Sequence, residues 1–292
     1  MQSVGIVGVG LMGHGIAKNI VSKGWNLNYL KHPGNQPTVD LEDLGAVAWD
    51  VAADMAIACD ILLICVTGSP QVEDVLVGSG QVLTALRKGA IVIDCSTAVP
   101  SSTRALAAKV AEQDCHFIDA AMTRTPKEAE EGRLNLLIGG DREVIERVKP
   151  LFGAFAENLF IAGDVGSGHQ LKLVHNVISL GSVTLIAEVA ACALADGMDR
   201  EAMIDCLRKG GAGGTALERI APFILEDDLQ KLQFSIENAY KDIGYYSEMA
   251  KQNNAACSVA EGIRETLGRA INAGAGKAFM PELVKLLQNS AP

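Results

Sequence analysis

Residues 3–13 read Ser-Val-Gly-Ile-Val-Gly-Val-Gly-Leu-Met-Gly, a short apolar run followed at once by a GxGxxG turn. The run predicts a β-strand, and the apolar spacing after the turn predicts a helix. In such a unit Gly8 permits the tight turn, Gly10 lets the backbone approach a pyrophosphate, and Gly13 lets the helix pack on the strand. The helix N-terminus adds N–H groups and a positive dipole for phosphates. The stretch therefore predicts a dinucleotide-binding turn rather than a purely structural loop. Its predicted cofactor contacts are Gly8, Gly10, Leu11, Met12 and Gly13.

Strand-like and helix-like segments alternate along the first half of the chain. The predicted strands cover residues 3–7, 27–30, 61–66, 90–94, 116–119, 134–138 and 158–161. The predicted helices between them include residues 11–22, 101–112 and 141–152. Strands and helices that alternate at this spacing predict a parallel sheet covered by helices on both faces. The fold class predicted here is α/β, with a Rossmann-like doubly wound domain.

The pattern changes after Gly163, where strand signals stop. Residues 170–195 predict one long helix that is mostly buried, because apolar residues recur at helical spacing without proline. Further helices are predicted at residues 200–207, 214–225, 238–252, 260–273 and 280–288. The domain boundary is predicted within residues 163–168. Residues 1–163 would form the NAD(P)-binding Rossmann-like domain, and residues 164–292 an all-α C-terminal domain that begins with the long interdomain helix.

Composition excludes several classes of protein. With 292 residues, 49% hydrophobic and 21% charged, the chain has ordinary globular usage. Its apolar runs are strand-sized and no signal peptide is recognised, so neither a membrane span nor secretion is expected. Seven scattered cysteines without a CxxC pair favour a reduced, cytoplasmic protein. A net charge of −10 repels phosphate backbones, so no nucleic-acid partner is expected.

The residues after the second predicted strand bear on the choice of cofactor. Residues 30–35 read Leu-Lys-His-Pro-Gly-Asn. NAD-binding domains typically have a carboxylate here that binds the ribose 2′-hydroxyl, and this segment has none. Lys31 and His32 would suit the 2′-phosphate of NADP, which is the preferred cofactor, with NAD left open. The alternative is that both are solvent-facing loop residues.

Two other strand ends carry candidate contacts. Residues 94–100 read Asp-Cys-Ser-Thr-Ala-Val-Pro and end a strand at the carboxyl edge of the sheet, where α/β folds bind ligands. Ser96 and Thr97 could equally cap the helix that follows. Val66 and Thr67, at the end of the third predicted strand, are further predicted cofactor contacts.

Residues 166–176, Gly-Ser-Gly-His-Gln-Leu-Lys-Leu-Val-His-Asn, place Lys172 and Asn176 on one face of a helix. A lysine within an apolar helix has its pKa lowered by burial, which suits a proton donor to a developing alkoxide. The alternative is a lysine that extends to the surface. His169 and His175 lack ligand spacing with other His or Cys, so no metal site is predicted and both are interpreted as packing or supporting residues.

As a set these residues resemble the β-hydroxyacid dehydrogenase family, which includes 3-hydroxyisobutyrate dehydrogenases, tartronate semialdehyde reductases and succinic semialdehyde/glyoxylate reductases. The resemblance rests on residues 8–13, on residues 94–97 with Pro100, on residues 166–176, and on the block from Phe234 to Lys241-Asp242. It implies the two-domain architecture given above and a homodimer or homotetramer.

The resemblance also implies roles for individual residues. Lys172 is similar to the family's catalytic lysine and Asn176 to its substrate-orienting amide. Thr97 resembles a residue near nicotinamide and substrate. Lys241 resembles a cofactor contact, and Asp242 a neighbour that faces the substrate.

The block from Asp119 to Gly140 resembles the family's substrate-binding block, with one departure. Most members have Ser-Gly-Gly where this chain has Thr123, Arg124 and Thr125. Thr123 still offers a hydroxyl, while the planar guanidinium of Arg124 can bind a carboxylate or sulfonate. A similar variant occurs in sulfolactaldehyde reductases. Arg124 could instead point to solvent or pair with Glu128.

These observations predict reversible hydride transfer between a nicotinamide and a small anionic substrate. A 3-hydroxy acid, or its sulfonate analogue, would be interconverted with its semialdehyde, and Lys172 would act as general acid/base. The alternatives are an imine reductase, which shares the architecture and typically lacks the lysine, and a non-catalytic dinucleotide-binding protein.

Overall fold

A computed structural model describes residues 2–288, and the chain divides between Lys172 and Leu173 into two compact units. The first unit contains an eight-stranded sheet. Its strands are β1 Ser3–Val7, β2 Asn26–Leu30, β3 Val47–Trp49, β4 Ile61–Ile64, β5 Ile91–Asp94, β6 His116–Thr123, β7 Leu134–Gly139 and β8 Ala156–Gly163. Its helices are α1 Gly13–Ser22, α2 Val39–Asp43, α3 Ala52–Ile57, α4 Ser69–Val77, α5 Val82–Ala85, α6 Pro100–Ala111, α7 Pro126–Glu130 and α8 Arg142–Phe155. The long helix α9, Ser167–Ala195, begins in this unit and continues into the second.

The sheet order explains where a ligand would bind. The strands run β3-β2-β1-β4-β5-β6-β7-β8, and the first six are parallel. From β1 the chain first moves outward to β2 and β3, and then returns to the other side of β1 as β4. The turn after β1 therefore lies at the topological switch point, the usual ligand crevice of such sheets.

Alternate side chains of each central strand enter different cores. Ile6 packs with α1 and α8 on one face, whereas Val7 packs with α3, α4 and α6 on the other. Leu63 and Leu62 divide in the same way on β4. Continuous apolar runs are required because both faces of the sheet are covered. The doubly wound prediction is confirmed.

Two features of the sheet differ from the prediction. The prediction of a wholly parallel sheet is wrong, because β7 pairs antiparallel with β6. Only ten residues, 124–133, separate these two strands, which is too short for a parallel crossover. The short strand β3 was not predicted, since its three residues are exposed or half-buried and carry no clear pattern.

The second unit is helical in its described part. Its further helices are α10 Arg200–Lys209, α11 Thr215–Glu226, α12 Ile236–Gln252, α13 Ser258–Asn272 and α14 Leu283–Gln288, the last preceded by a 3₁₀ turn at Met280–Glu282. Buried residues of all these helices and of α9 form one core.

Helix α9 is not mostly buried, which corrects the prediction. Val174, Ile178, Leu185 and Val189 are 38–66% exposed along one face. By length and composition α9 could cross a membrane. Buried core helices pass the same test, so this finding alone does not assign α9 to a lipid environment.

Candidate functional site

The glycine turn after β1 leaves space for a ligand at one position only. A Cβ on Gly8, whose φ is +96°, would lie 2.2 Å from the Cys65 carbonyl oxygen, and one on Gly13 would lie 1.9 Å from the Gly8 carbonyl oxygen. A Cβ on Gly10 would meet only the Gly34 carbonyl oxygen, at 3.9 Å. The first turn of α1 has neither a side-chain cap nor an acidic residue. The turn therefore fits a dinucleotide pyrophosphate.

Leu11 and Met12 complete the turn. Leu11 is 65% exposed, and Met12 is half-buried at the N-cap of α1. Leu11 lines an open cavity of about 680 Å³. His14, also on the cavity wall, has Nε2 3.0 Å from Asp40 Oδ1.

Asn35, which the sequence interpretation did not single out, attaches the loop after β2 to the glycine turn. Its Oδ1 accepts from the Val9 amide at 3.2 Å, and its Nδ2 donates to the Leu30 carbonyl at 2.9 Å. The Gln36 amide donates to the Val9 carbonyl at 2.8 Å. An asparagine after Pro-Gly is ordinary turn composition, so the sequence carried no signal for this role.

Lys31 and His32 are both exposed at the end of β2. Lys31 Nζ lies 3.0 Å from Asp50 Oδ1, a carboxylate that follows the unpredicted strand β3. His32 Nδ1 accepts from the Gly34 amide at 3.0 Å. A cation and an anion therefore stand together where the nucleotide ribose is expected.

The ends of β4 and β5 are joined by side-chain bonds. Ser96 Oγ accepts from the Val66 amide at 3.1 Å, and the Ser96 amide donates to Asp94 Oδ1 at 2.9 Å. Thr97 is half-buried and Thr67 exposed. Helix α6 has no side-chain cap, so neither Ser96 nor Thr97 caps it.

The segment predicted to bind substrate begins at the end of β6. Thr123 is buried, and its hydroxyl accepts from Asn135 Nδ2 at 3.0 Å across the β6–β7 pair. Arg124 has a φ of +83°, in the left-handed region that favours glycine. Its guanidinium donates to Glu157 and to the Arg133 carbonyl.

Thr125 is the N-cap of α7 and forms hydrogen bonds with the Glu128 carboxylate. Its amide and hydroxyl donate to Glu128 Oε2 at 3.0 and 2.5 Å. Burial alone would raise the pKa of Glu128, but these hydrogen bonds outweigh it and hold the pKa below its usual value. Glu128, the alternative partner of Arg124, is thus bonded to Thr125.

The start of α9 is anchored to β6. Asp119 is fully buried and accepts from the Gly166 amide at 2.7 Å and the His169 amide at 2.8 Å. A Cβ on Gly168 would lie 2.4 Å from the Leu137 carbonyl oxygen, so only glycine fits at this position of the helix. Lys172 follows in the second turn and is half-buried.

In the second unit the structure brings Asn176, Lys241 and Asp242 together. Asn176 Nδ2 donates to Asp242 Oδ2 at 2.7 Å, and both residues are buried. Lys241 Nζ lies 3.1 Å from Asp242 Oδ1 and 5.4 Å from the centre of the Tyr245 ring. His175 Nδ1 lies 3.0 Å from Asn176 Oδ1. Asp242 therefore holds the Asn176 amide in one orientation.

Residues 2–288 contain no group of three or more His, Cys, Asp or Glu placed to hold a metal ion. The seven cysteines are all free thiols.

Two family profiles together match nearly the whole chain. One, described as the NAD binding domain of 6-phosphogluconate dehydrogenase, matches residues 3–163. The other, described as the NAD-binding of NADP-dependent 3-hydroxyisobutyrate dehydrogenase, matches residues 166–287.

Individual relatives agree with these profiles. The chain is 33% identical over 218 residues to 2-hydroxy-3-oxopropionate reductase of Escherichia coli, covering 74% of each chain. It is 28% identical to 2-(hydroxymethyl)glutarate dehydrogenase of Eubacterium barkeri, over 97% of this chain and 94% of the relative. A 3-hydroxyisobutyrate dehydrogenase structure from Salmonella typhimurium has a TM-score of 0.85 and 25% identity, and covers 98% of this chain and 100% of that one.

Proposed function

Because the chain belongs to the β-hydroxyacid dehydrogenase family, we propose that it interconverts a small 3-hydroxy acid, or its sulfonate analogue, with the corresponding semialdehyde. The chain is an NAD(P)-dependent hydroxyacid dehydrogenase, and the proposal concerns its substrate, its catalytic residues and its cofactor preference. When bound, the dinucleotide supplies the hydride donor or acceptor. The turn from Gly8 to Gly13 would hold the pyrophosphate, since it is open at Gly10.

Lys172 is the proposed general acid/base. It would donate a proton to the substrate oxygen during reduction and remove one during oxidation. The observation that carries this assignment is the fixed amide of Asn176, one helical turn after Lys172. Asp242 uses one N–H of that amide at 2.7 Å, so the second N–H can be donated to the substrate.

Thr123 and Arg124 are the proposed anion contacts. Thr123 accepts from Asn135, so its hydroxyl hydrogen can be donated to a carboxylate or sulfonate. To bind the substrate anion, Arg124 would release Glu157. Breaking this ion pair costs little free energy, because both side chains are partly exposed. Thr125 sets the loop through its bonds to Glu128.

NADP is the proposed preferred cofactor. Lys31 and His32 are exposed at the strand end where a 2′-phosphate would lie. Thr97 and Lys241 are proposed as further contacts, in keeping with the resemblance.

The proposed assembly is a homodimer or homotetramer in the cytoplasm. The exposed apolar side chains of α9 support self-association, because a monomer would leave them in water. Free cysteines suit a reducing compartment.

A panel of small aldehyde acids, with carboxylate and sulfonate members, tests the activity with NADPH and NADH. Lys172→Ala should lower kcat by about two to four orders of magnitude while cofactor affinity is retained. Lys109→Ala, which removes an exposed lysine of α6, is the matched control and should not change kcat. Wild-type turnover by Lys172→Ala across the pH range would exclude the proposed role.

A further inference from the structure

His169 occupies the first turn of α9 with no exposed surface, three residues before Lys172. Its Nδ1 lies 2.7 Å from Thr103 Oγ1 on α6. Its Nε2 faces Asp94 Oδ2 at 3.8 Å, and neither atom has a hydrogen-bond partner among residues 2–288. Buried polar groups without partners are rare, so this facing pair requires an explanation.

Proton placement restricts what the pair can be. Two bare lone pairs, on Nε2 and on an ionised Asp94, would repel each other in a site that excludes water. A hydrogen between the two atoms removes that conflict. Thr103 Oγ1 also lies 3.2 Å from the Val99 carbonyl oxygen, so a hydrogen on Nε2 requires the Thr103 hydroxyl to donate to Nδ1 instead of to Val99. Asp119, whose Oδ2 lies 4.0 Å from Nδ1, already accepts two backbone N–H groups.

The pair is connected to the predicted cofactor loops. Asp94 Oδ1 accepts from the Ser96 amide, and Ser96 Oγ accepts from the Val66 amide. Hydrogen bonds therefore link Asp94 at the end of β5 to the end of β4, and His169 faces this link across the 3.8 Å that separates its Nε2 from Asp94 Oδ2. All of these residues lie in the first unit.

We propose that His169 is a positioning residue: its Nε2 hydrogen, directed at Asp94, fixes the first turn of α9 and so the placement of Lys172. This inference rests on the proposed role of Lys172. A displacement of the order of 1 Å at a reacting group can cost about a hundredfold in rate. His169 acts through Lys172 and contacts no substrate itself.

Two substitutions separate the two ring nitrogens. His169→Gln places an amide near the Nε2 position and keeps a donor toward Asp94. His169→Asn keeps only a group near the Nδ1 position, toward Thr103. His169→Asn should lower kcat by about ten- to a hundredfold with the dinucleotide Kd retained, whereas His169→Gln should recover most of the loss. His116→Gln, at the start of β6, is the control for replacing a histidine in the same sheet and should leave kcat unchanged.

The pair should also behave as a unit. Asp94→Asn added to His169→Asn should cost little more than His169→Asn alone, because the shared contact is already lost. Equal kcat losses for the Gln and Asn variants, or additive losses in the double variant, would overturn the proposal and leave His169 a packing residue.

Nitrogen-15 NMR of the histidine rings tests the same pair without substrate. One histidine ring that does not exchange with solvent should carry a hydrogen on Nε2, and its signal should be absent in His169→Asn. A bare Nε2 would overturn the inference. Should Lys172→Ala retain full activity while Nε2 carries its hydrogen, the catalytic proposal fails and the buried contact stands.

Discussion

At the scale of single residues, Arg124 combines a cost with a proposed use. Its φ of +83° is a conformation that costs a side-chain-bearing residue about 1–3 kcal/mol. The resemblance indicates glycine there in most of the family. A strained arginine in the segment proposed to bind substrate is explained by the proposed contact of its guanidinium with the substrate anion.

Arg124→Gly should therefore leave stability within about 1 kcal/mol of wild type, because relieved strain offsets the lost ion pair with Glu157 and the added chain entropy. It should lower kcat/KM about ten- to a hundredfold for an anionic aldehyde and much less for a neutral one of similar size. Steady-state kinetics on matched substrates measure both.

Arg124→Lys keeps the positive charge but lacks the planar guanidinium. Its kcat/KM for the anionic aldehyde should lie between those of wild type and Arg124→Gly. Glu157→Gln releases the guanidinium from its present partner and should not reduce kcat/KM for the anion. Equal losses on charged and neutral substrates would indicate structural damage, and no loss on either would mean that Arg124 stays paired with Glu157 and contacts no substrate.

The ion pair of Lys31 and Asp50 leads to a prediction about cofactor preference. Lys31→Asp should lower the ratio of kcat/KM for NADPH over NADH by about ten- to a hundredfold, since a charge-assisted bond to the 2′-phosphate is worth about 1.5–3 kcal/mol. Asp50→Asn should raise that ratio modestly, because Lys31 loses its competing partner. An unchanged ratio in both variants contradicts the NADP preference.

The residues that could be predicted have strong local signatures. The roles of Gly8 and Gly13 in the turn were predictable, because a Cβ at either position would collide with a backbone carbonyl oxygen. Asn35 and Asp50 could not be identified, because their roles come from contacts with distant parts of the chain. His169 was interpreted as a packing or supporting residue, but the sequence did not show which groups it faces. A buried histidine and an exposed one have the same letter in the sequence.

At the scale of elements, helix α7 depends on one carboxylate. Glu128→Gln should lower the free energy of unfolding by about 1 kcal/mol at neutral pH, because the charged acceptor for Thr125 is lost. Since the folded pKa of Glu128 is depressed, its contribution is present above the ordinary value of 4.5 and is lost as pH falls through the folded pKa.

Denaturant unfolding of both proteins between neutral pH and pH 3 checks this. The difference between wild type and Glu128→Gln should shrink as the pH falls. Glu131→Gln, one residue after α7, is the control and should show a smaller difference at every pH. A difference that grows on acidification would contradict the assigned direction.

Long helices with strong periodicity and short buried strands were predicted within a few residues, whereas the short helices α2, α3, α4, α5 and α7 and the exposed strand β3 were not. Helix α9 was recognised as continuous, but its exposed face was missed because a largely apolar helix has the same sequence pattern whether or not its own chain covers it. The direction of β7 could have been inferred from the ten residues that precede it.

At the scale of the whole molecule, the exposed face of α9 predicts self-association. Ile178→Glu and Leu185→Glu should each shift the protein toward monomer in sedimentation equilibrium, since a charge would be buried in the contact. Val259→Glu, at a residue of α13 that is 78% exposed, is the matched control and should not change the assembly. A monomeric wild type would refute the proposed assembly.

The last strand of the sheet has a practical consequence for handling the protein. The order of strands makes β3 and β8 the two edges, and β3 has three residues whereas β8 has eight. Phe160 and Ile161 on β8 are nearly half exposed. A long edge with bare backbone groups and apolar side chains is a template on which a second chain can add a strand. Precipitation in concentrated stocks would therefore start at β8, and Phe160→Lys should lower the turbidity of such samples.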